Sequence, residues 1–177
     1  MPQRPLRFAD VEAAVATLIG LPLQDTQPRR AADMAMFNFG PLREWVDKYG
    51  RPRKSGDVWL HVQASWRIIV GDRIVVGSGD YWDPPSGVDP NDFDPREARV
   101  NRQDELVAAF HVDRSAPRSV ASVETHPTGD LRITFDDASR LEIQPDSIGP
   151  RDEYWRLFLK GGPHLVVGTL GAEEQGD

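Results

Sequence analysis

The sequence predicts an α+β fold: a twisted, mainly antiparallel sheet of about seven to eight strands with two helices packed on it. The leading observation is a motif that occurs twice, at residues 66–77 and 155–168. Each copy contains Trp-Arg, an apolar run, a polar break and a second apolar run that ends in Val-Val-Gly. This pattern is typical of a β-hairpin, so one hairpin is expected in each half of the chain. Two segments with helical periodicity supply the α part of the fold.

The two helices are predicted from apolar spacing and from residues that favour helix ends. Residues 11–19 carry apolar side chains at i, i+3, i+4, i+7 and i+8, with Asp10 as the N-cap and Gly20 directly after the last one. The second helix is predicted to begin after Asn101, a favoured N-cap residue. Asp104 then lies in its first turn, near the positive end of the helix dipole.

The strands before the second helix are predicted from apolar alternation and from the turns between them. A bent strand at 34–45, kinked at Gly40, precedes a basic turn at 48–56 and a long strand at 58–70. The chain then returns through a tight turn as a strand at 74–76.

The remaining chain is predicted to be an irregular loop followed by a β-meander. Aspartates and prolines are interleaved at residues 79–95, and a loop of this length in a compact domain is usually functional or mobile. After the second helix, strands are expected at 120–124, 131–135 and 141–143, and the second hairpin follows them.

One domain is expected, because 177 residues support a single well-buried core and are few for two. We therefore assign residues 1–177 to this domain. Its two ends, residues 1–9 and 171–177, are expected to be flexible.

Charge and cysteine content exclude several classes of function. The chain has 21 Lys+Arg against 28 Asp+Glu, a formal net charge of −7. This charge repels a phosphate backbone and argues against a nucleic-acid partner, with a local basic patch left open, whereas a basic protein partner is compatible with it. The absence of cysteine excludes thiolate catalysis, disulfides and zinc–thiolate sites. No apolar segment has the length of a signal peptide or a bilayer span, so we expect a cytoplasmic protein with no membrane partner.

Histidines and aspartates are the candidates for metal binding or catalysis, but neither group forms a known motif. None of the four histidines has metal-binding helical spacing to another, and a contact in the fold between His61 and His164 is left open. The EF-hand pattern fails at two positions of the acidic segment. A weak cation site at Asp80, Asp83 and Asp92 is left open, with solvated carboxylates as the favoured interpretation. We predict no catalytic residue, no metal and no cofactor.

Arg67 and Arg156 are notable because each directly follows the tryptophan of a repeated hairpin. Successive strand residues point to opposite faces, so each guanidinium is expected to point away from the face that its tryptophan covers. Pairing with a carboxylate is the favoured role. Arg67–Glu105 and Arg102–Asp80 pairs, which would hold the second helix to the sheet, are the expected examples.

Five segments resemble the motifs of a bacterial protein family for which no activity is established. They are residues 61–68 (His-Val-Gln-Ala-Ser-Trp-Arg-Ile), 77–80 (Gly-Ser-Gly-Asp), 101–105 (Asn-Arg-Gln-Asp-Glu), 153–158 (Glu-Tyr-Trp-Arg-Leu-Phe) and 164–167 (His-Leu-Val-Val). The likeness extends from about residue 31 to residue 168. At residues 64–65 this chain has Ala-Ser where the family pattern has Cys-Pro, so no thiol role is implied. The resemblance implies the strand assignments and a cytoplasmic location, and it implies no mechanism.

Two functions from different classes remain as hypotheses. The first is a non-catalytic protein-binding module of the immunity or adaptor type, which binds a basic protein partner through its acidic segment. The alternative is a small-molecule-binding protein or enzyme that uses a polar cluster around His61, Arg67, Asp80 and Arg102. The residues predicted to bind a ligand or partner are His61, Arg67, Asp80, Asp83, Arg102 and Asp104. A role as a subunit of a larger assembly, suggested by exposed strand edges, is a third possibility.

Overall fold

The computed structural model describes residues 4–27, 34–46, 49–96, 98, 100–112, 116–147, 149, 153–159 and 164–175. In this part of the chain there are fourteen strands: β1 Arg4–Leu6, β2 Pro22–Gln27, β3 Ala35–Phe39, β4 Arg43–Val46, β5 Pro52–Ser55, β6 Val58–Val62, β7 Ser65–Val70, β8 Arg73–Gly77, β9 Arg118–Thr125, β10 Leu131–Phe135, β11 Arg140–Gln144, β12 Glu153–Leu159, β13 His164–Gly168 and β14 Gly171–Gln175. The α-helices are α1 Phe8–Ala16 and α2 Arg102–Val112.

Twelve of the strands form one sheet in the order β1-β14-β13-β12-β6-β3-β2-β9-β10-β11-β7-β8. Neighbouring strands are antiparallel throughout this order. β4 and β5 form a separate two-stranded sheet. The predicted α+β class and antiparallel sheet are therefore confirmed. The predicted number of seven to eight strands is wrong, since the large sheet has twelve.

Two features of the sequence explain the missing strands. The first is polar composition: β2 contains Pro22 and Asp25 and lacks regular apolar alternation, yet it pairs with β3 and β9. The second is a division of the predicted strand at 58–70 into β6 and β7. At this division the backbone N–H groups of Gln63 and Ala64 both donate to the carbonyl oxygen of Tyr154 at 3.0 Å. The chain thereby leaves β12 and continues beside β11.

The two ends of the described chain are paired in the sheet. β14 pairs with β13 on one side and with β1 on the other. Glu173 and Glu174 are polar, so backbone hydrogen bonds to its two neighbours, rather than apolar burial, hold β14 in the sheet. The outermost residues, 1–3 and 176–177, lie outside the described part.

The two halves of the large sheet face each other across a shared core. They are joined between β2 and β9 by only two residue pairs, Pro22 with Ser119 and Leu23 with Arg118. Rings from distant strands nevertheless meet, since Phe37 on β3 packs edge-on against Trp66 on β7 at 5.2 Å between centroids. The largest fully buried side chains include Trp155, Phe37, Phe39, Phe135, Leu18, Leu23, Leu60 and Ile68.

α1 begins three residues earlier than predicted. The Asp10 carboxylate accepts a hydrogen bond from the backbone N–H of Arg7 at 3.0 Å, so Asp10 lies inside the first turn and Arg7 is the N-cap. The helix ends at Ala16, and Gly20, with φ of 83°, donates its N–H to Val120 at 2.8 Å. Residues 18–21 therefore connect α1 to the sheet instead of extending the helix.

The second helix and the repeated hairpins agree with the predictions. α2 begins directly after Asn101, as expected, and buries Val107 and Phe110. Both copies of the motif are hairpins, β7–β8 and β12–β13. Their tryptophans are buried: Trp66 is 5% exposed and Trp155 is 0% exposed. The turn of the second hairpin, at residues 160–163, lies outside the described residues.

Candidate functional site

The acidic loop, which we define as residues 80–94, contains five aspartates and no basic residue. Short 3-10 helices, Ser78–Trp82 and Pro90–Asp92, lie near its two ends. Three aspartates accept hydrogen bonds from backbone N–H groups at 2.7 to 2.9 Å: Asp80 from Gly77, Asp89 from Asn91 and Asp94 from Arg96. These bonds give the loop a defined local conformation, because each one closes a turn of two or three residues.

The first turn of α2 holds the acidic loop against the body of the protein. The backbone N–H of Arg102 donates to the carbonyl oxygen of Asp83 at 3.0 Å, and its guanidinium donates to Ser86 Oγ at 2.7 Å. Glu105 accepts the Arg102 guanidinium at 2.9 Å and the Ser86 N–H at 3.0 Å. The hydrogen bond from the Ser86 N–H, followed in size by the one from Arg102, holds the pKa of Glu105 below its usual value. The ion-pair partner of Arg102 is thus Glu105 and not the expected Asp80.

Two further contacts position α2. Asn101 Oδ1 accepts the N–H of Asp104 at 3.1 Å, and the Asp104 carboxylate accepts the N–H of Asn101 at 3.0 Å. This reciprocal cap confirms the predicted N-cap. Gln103 is buried, and its amide donates to the carbonyl oxygen of Gly77 at 2.7 Å, where the chain leaves β8 for the loop.

The outer surface of the acidic loop combines carboxylates with apolar groups. Trp82 is 51% exposed and Val88 is 41% exposed. The exposed acidic residues of the same loop are Asp83, Asp89, Asp92 and Asp94. The loop therefore exposes negative charge and apolar side chains together.

Arg67 forms an ion pair on the face of the sheet opposite Trp66. Its Nε and Nη2 atoms donate to Glu142 Oε2 on β11 at 2.9 and 2.7 Å, while Arg132 Nε donates to Oε1 at 3.2 Å. Burial acts to raise the pKa of Glu142, whose side chain is 8% exposed, but Arg67 and Arg132 outweigh burial and lower that pKa. The expected carboxylate pair is present, with Glu142 rather than Glu105 as the partner.

His61 lies on β6, on the face of the sheet that points away from the core. Its neighbours across the strands are Met36 on β3 and Arg156 on β12. The His61 ring lies 4.9 Å from that of Phe158, which lies 3.4 Å from the ring of His164. Among the described residues no group bonds the buried Nε2 atom of His61. Burial, followed by the charge of Arg156, lowers the pKa of His61.

The six predicted residues therefore do not form one cluster. Asp80, Asp83, Arg102 and Asp104 lie together where the acidic loop meets α2. The backbone of Arg67 lies close to this group, because Arg67 pairs with Gly77 across β7 and β8. Its guanidinium, however, binds Glu142. His61 lies in the other half of the sheet, next to β3 and β12.

Two groups of residues were not recognised as groups by the sequence prediction. One surrounds His61: the ring of Phe158 packs against both His61 and His164, whose contact the sequence left open, and Trp59 and Arg156 complete the group. Period-two alternation shows that Trp59 and His61 share a face, but only the cross-strand register brings β12 and β13 beside them. The other group is the β4–β5 hairpin, whose basic residues were assigned to a turn.

Three cavities are lined by residues other than the six predicted ones. The largest, about 700 Å³, lies along β13 and β14 and includes Val166 and Glu173. One of about 230 Å³ lies beside Glu142 and Arg132, and one of about 180 Å³ lies between α1 and the sheet. Within the described ranges, no group of three His, Asp or Glu side chains is arranged to hold a metal ion, Asp80, Asp83 and Asp92 included.

Scans of the chain against protein-family models, curated proteins and solved structures find no match. The likeness of its motifs to a bacterial family therefore stays a resemblance, and the chain is assigned to no family. Neither helix in the described part of the chain has the length and apolar character needed to cross a membrane.

Proposed function

We propose that this protein is a non-catalytic protein-binding module, of the immunity or adaptor type, whose acidic loop binds a basic protein. The observation that supports this proposal is the surface of the loop, which exposes four aspartates together with Trp82. Acidic groups attract and orient a basic partner, and a tryptophan supplies a large apolar contact once the partner has bound.

The hydrogen bonds inside the loop also favour binding. A loop that is already fixed loses less conformational entropy on association than one that must be ordered first. Arg102 and Glu105 provide much of this fixation, because both bind Ser86 in the middle of the loop. In this proposal Arg102 and Asp104 are positioning residues, whereas Asp83 and Trp82 contact the partner.

Affinity capture with matched variants tests the proposal. The tagged protein is expected to capture a basic protein from lysate of its source cell. Asp83→Asn combined with Asp92→Asn should reduce capture, and Trp82→Ala should weaken binding of the purified partner by about 2 kcal/mol or more. A crosslink between the loop and basic residues of the partner would support the assignment.

The controls change the same kinds of side chain elsewhere. Glu12→Gln with Asp72→Asn removes two exposed carboxylates away from the loop, and Leu170→Ala removes an apolar side chain that is 85% exposed. Capture should persist in these variants. A partner that binds the loop variants as strongly as the controls would show that the loop is not the binding surface.

Immunity and adaptor types differ in what binding does to the partner. A protein of the immunity type abolishes the activity of its partner when the two are mixed, whereas an adaptor leaves that activity intact. Assay of the captured partner with and without this protein distinguishes the two.

The second candidate is a small-molecule-binding protein or enzyme with a site at His61, Arg67, Asp80 and Arg102. The observation that favours it is the buried Nε2 atom of His61, which has no hydrogen-bond partner among the described residues. Arg67 and Arg102 bind Glu142 and Glu105, so a ligand at His61 would contact Arg156 and the neighbouring rings instead. A thermal-shift screen with nucleotides and divalent metals tests this candidate, because a ligand of the native state raises its melting temperature. The shift should disappear in His61→Ala.

A further inference from the structure

The β4–β5 hairpin is a small basic unit in an acidic protein. We name residues 42–55 the basic arm. It has five basic and two acidic residues, a net charge of +3, so the rest of the chain carries −10. Within the arm, Arg51, Arg53 and Lys54 are exposed. This concentration of positive charge has no role in the proposed function.

The strands of the arm form a sheet of their own. β4 and β5 pair with each other and join no strand of the large sheet in the described chain. Arg43 Nε donates to Asp57 at 2.8 Å, and Trp45 Nε1 donates to Ser55 Oγ at 3.0 Å. Beyond the base, Val46 is 66% exposed and Tyr49 is 69% exposed.

The base itself is closely packed, which directs the chain into the arm. The N–H of Gly56 donates to Asn38 Oδ1 at 2.8 Å, and the Asn38 side chain is buried. A Cβ atom at position 56 would collide with the carbonyl oxygen of Phe39, so glycine is required there. The arm thus leaves the sheet at a fixed point.

The basic arm and the acidic loop begin at opposite ends of one strand. The base of the arm at Asp57 directly precedes β6, which begins at Val58. The acidic loop begins beside Trp66, just after the other end of β6, where the Trp66 N–H donates to Ser78 Oγ at 3.2 Å. A strand of five residues spans about 17 Å. The two oppositely charged segments therefore begin at opposite ends of β6.

We propose that the basic arm of one copy binds the acidic loop of a second copy, so that the protein self-associates head to tail. The inference rests on the proposed function in one respect, which is that the acidic loop is a docking surface. The charges are complementary, since the arm carries +3 and the loop −5. Both surfaces also expose apolar side chains, Tyr49 and Val46 on the arm and Trp82 and Val88 on the loop. A contact of this heterologous kind extends or closes into a ring.

A nucleic acid is the competing occupant of the arm, because β-ribbons with basic residues also bind phosphates. The charge of −10 on the rest of the chain repels a phosphate backbone, so the arm is the part of the chain that attracts an acidic partner. An acidic protein segment of limited size fits this charge distribution better than a long polyanion.

Sedimentation velocity of the purified full chain tests the inference. At about 0.05 M salt the mean mass should rise with concentration above that of one chain, and at about 0.5 M salt it should fall, because salt screens charge contacts. Arg51→Glu should weaken association about tenfold or more. Arg73→Glu, which reverses the charge of an exposed arginine on β8, is the matched control and should leave association unchanged.

A mixture of two charge-reversed variants, which we call the charge exchange, distinguishes loss of the contact between copies from damage to the hairpin itself. Arg51→Glu with Arg53→Glu makes the arm acidic, and Asp83→Lys with Asp92→Lys makes the loop more basic. Each double variant alone should be a monomer, and the mixture should associate again, because the intact arm of one meets the intact loop of the other. Failure of the mixture to associate, or a wild-type chain that stays monomeric at low salt, overturns the inference.

The remaining outcomes are equally decisive. If the wild-type chain is a monomer and binds a DNA or RNA fragment that Arg51→Glu no longer binds, the arm is a nucleic-acid surface and the inference is wrong. If self-association fails while the loop variants still lose a captured basic partner, the proposed function stands without it. If self-association is restored by the charge exchange and no other partner is captured, the inference stands, and the proposal that the acidic loop binds a different, basic protein is wrong.

Discussion

The two Trp-Arg hairpins share a sequence motif but have different surroundings in the sheet. In both, the tryptophan is buried and the arginine lies on the opposite face. Trp66 packs edge-on against Phe37, whereas Trp155 is fully buried and its Nε1 atom donates to the carbonyl oxygen of Gly129 at 2.7 Å. The motif therefore determines which side chain enters the core, while its neighbours determine how that side chain is held.

The arginines differ more than the tryptophans. Across the strands, Arg67 faces Glu142, and the two form an ion pair. The residue that faces Arg156 is His61, and Arg156 instead binds Glu153 on its own strand at 2.6 Å. The first arginine thus ties two strands together, and the second is neutralised within one strand. This comparison shows that a local motif specifies a face of the sheet but not an ionic partner.

The largest expected effect concerns the tryptophans. Trp155→Ala should lower the free energy of unfolding by about 4 kcal/mol and Trp66→Ala by about 3 kcal/mol, because both leave cavities and only Trp155 is completely enclosed. Urea denaturation of the two variants measures the difference. Equal losses would mean that the two hairpins are equivalent in the core.

Trp155→Phe provides a variant that folds if the alanine variants do not. It keeps most of the ring but leaves the carbonyl oxygen of Gly129 without its donor, which should cost about 1–3 kcal/mol beyond the smaller ring. Trp66→Phe is the matched control, since its ring contact with Phe37 is apolar.

Removal of the two carboxylates tests the difference between the arginines. Glu142→Gln should lower the free energy of unfolding by about 2 kcal/mol, because a buried partner of Arg67 and Arg132 loses its charge. Glu153→Gln should cost about 1 kcal/mol or less, since that pair lies within a single strand and joins no others. The same urea titration applies, and a larger loss in Glu153→Gln would contradict the comparison.

The strands that the sequence predicted correctly are those with apolar alternation between turn residues. β10 and β11 and both Trp-Arg hairpins belong to this group, because period-two burial leaves a direct trace in the sequence. β2, β5 and β14 were missed, since Asp25, Lys54 and Glu173 are polar and these strands are held by backbone pairing. Such strands depend on their neighbours and cannot be recognised one at a time.

The candidate site was predictable only in its local part. The cap of Asn101 and Asp104 depends on residues three apart, and the structure confirms it. The partners of Arg67 and Arg102 depend on register and on the path of the acidic loop, which no spacing in the sequence records. Glu142 is 75 residues from Arg67, and both expected pairs were therefore assigned to wrong carboxylates.

Acid should affect the first hairpin through Glu142. Arg67 and Arg132 lower the pKa of this carboxyl in the folded protein below its ordinary value of 4.5, despite the opposing effect of burial. The ionised form therefore stabilises the fold above pH 4.5, and this stability is lost as the pH falls through the folded pKa. Unfolding free energies measured from neutral pH to pH 3 should fall less steeply in Glu142→Gln than in the wild type. Parallel curves would show that Glu142 does not contribute to the loss of stability in acid.

Milder acidity, between pH 8 and pH 5, should act on the second hairpin, and its effect on stability is the smallest expected here. Burial and the charge of Arg156 lower the pKa of His61 in the folded protein below its ordinary value of 6.5. The neutral ring therefore stabilises the fold above pH 6.5, and this stability is lost as the pH falls through the folded pKa. Thermal unfolding between pH 8 and pH 5 should show a shallower decline in His61→Gln than in the wild type.

His126→Gln, which removes an exposed histidine on the turn after β9, is the control for this measurement. A further variant, His61→Glu, places a carboxylate opposite Arg156 and so gives the second hairpin the cross-strand charge arrangement of the first. It should remove the decline that begins near pH 6.5 and add one in the range where a carboxyl titrates. If His61→Glu instead keeps the pH dependence of the wild type, the residue that faces the arginine does not set the acid response, and the two hairpins differ for another reason.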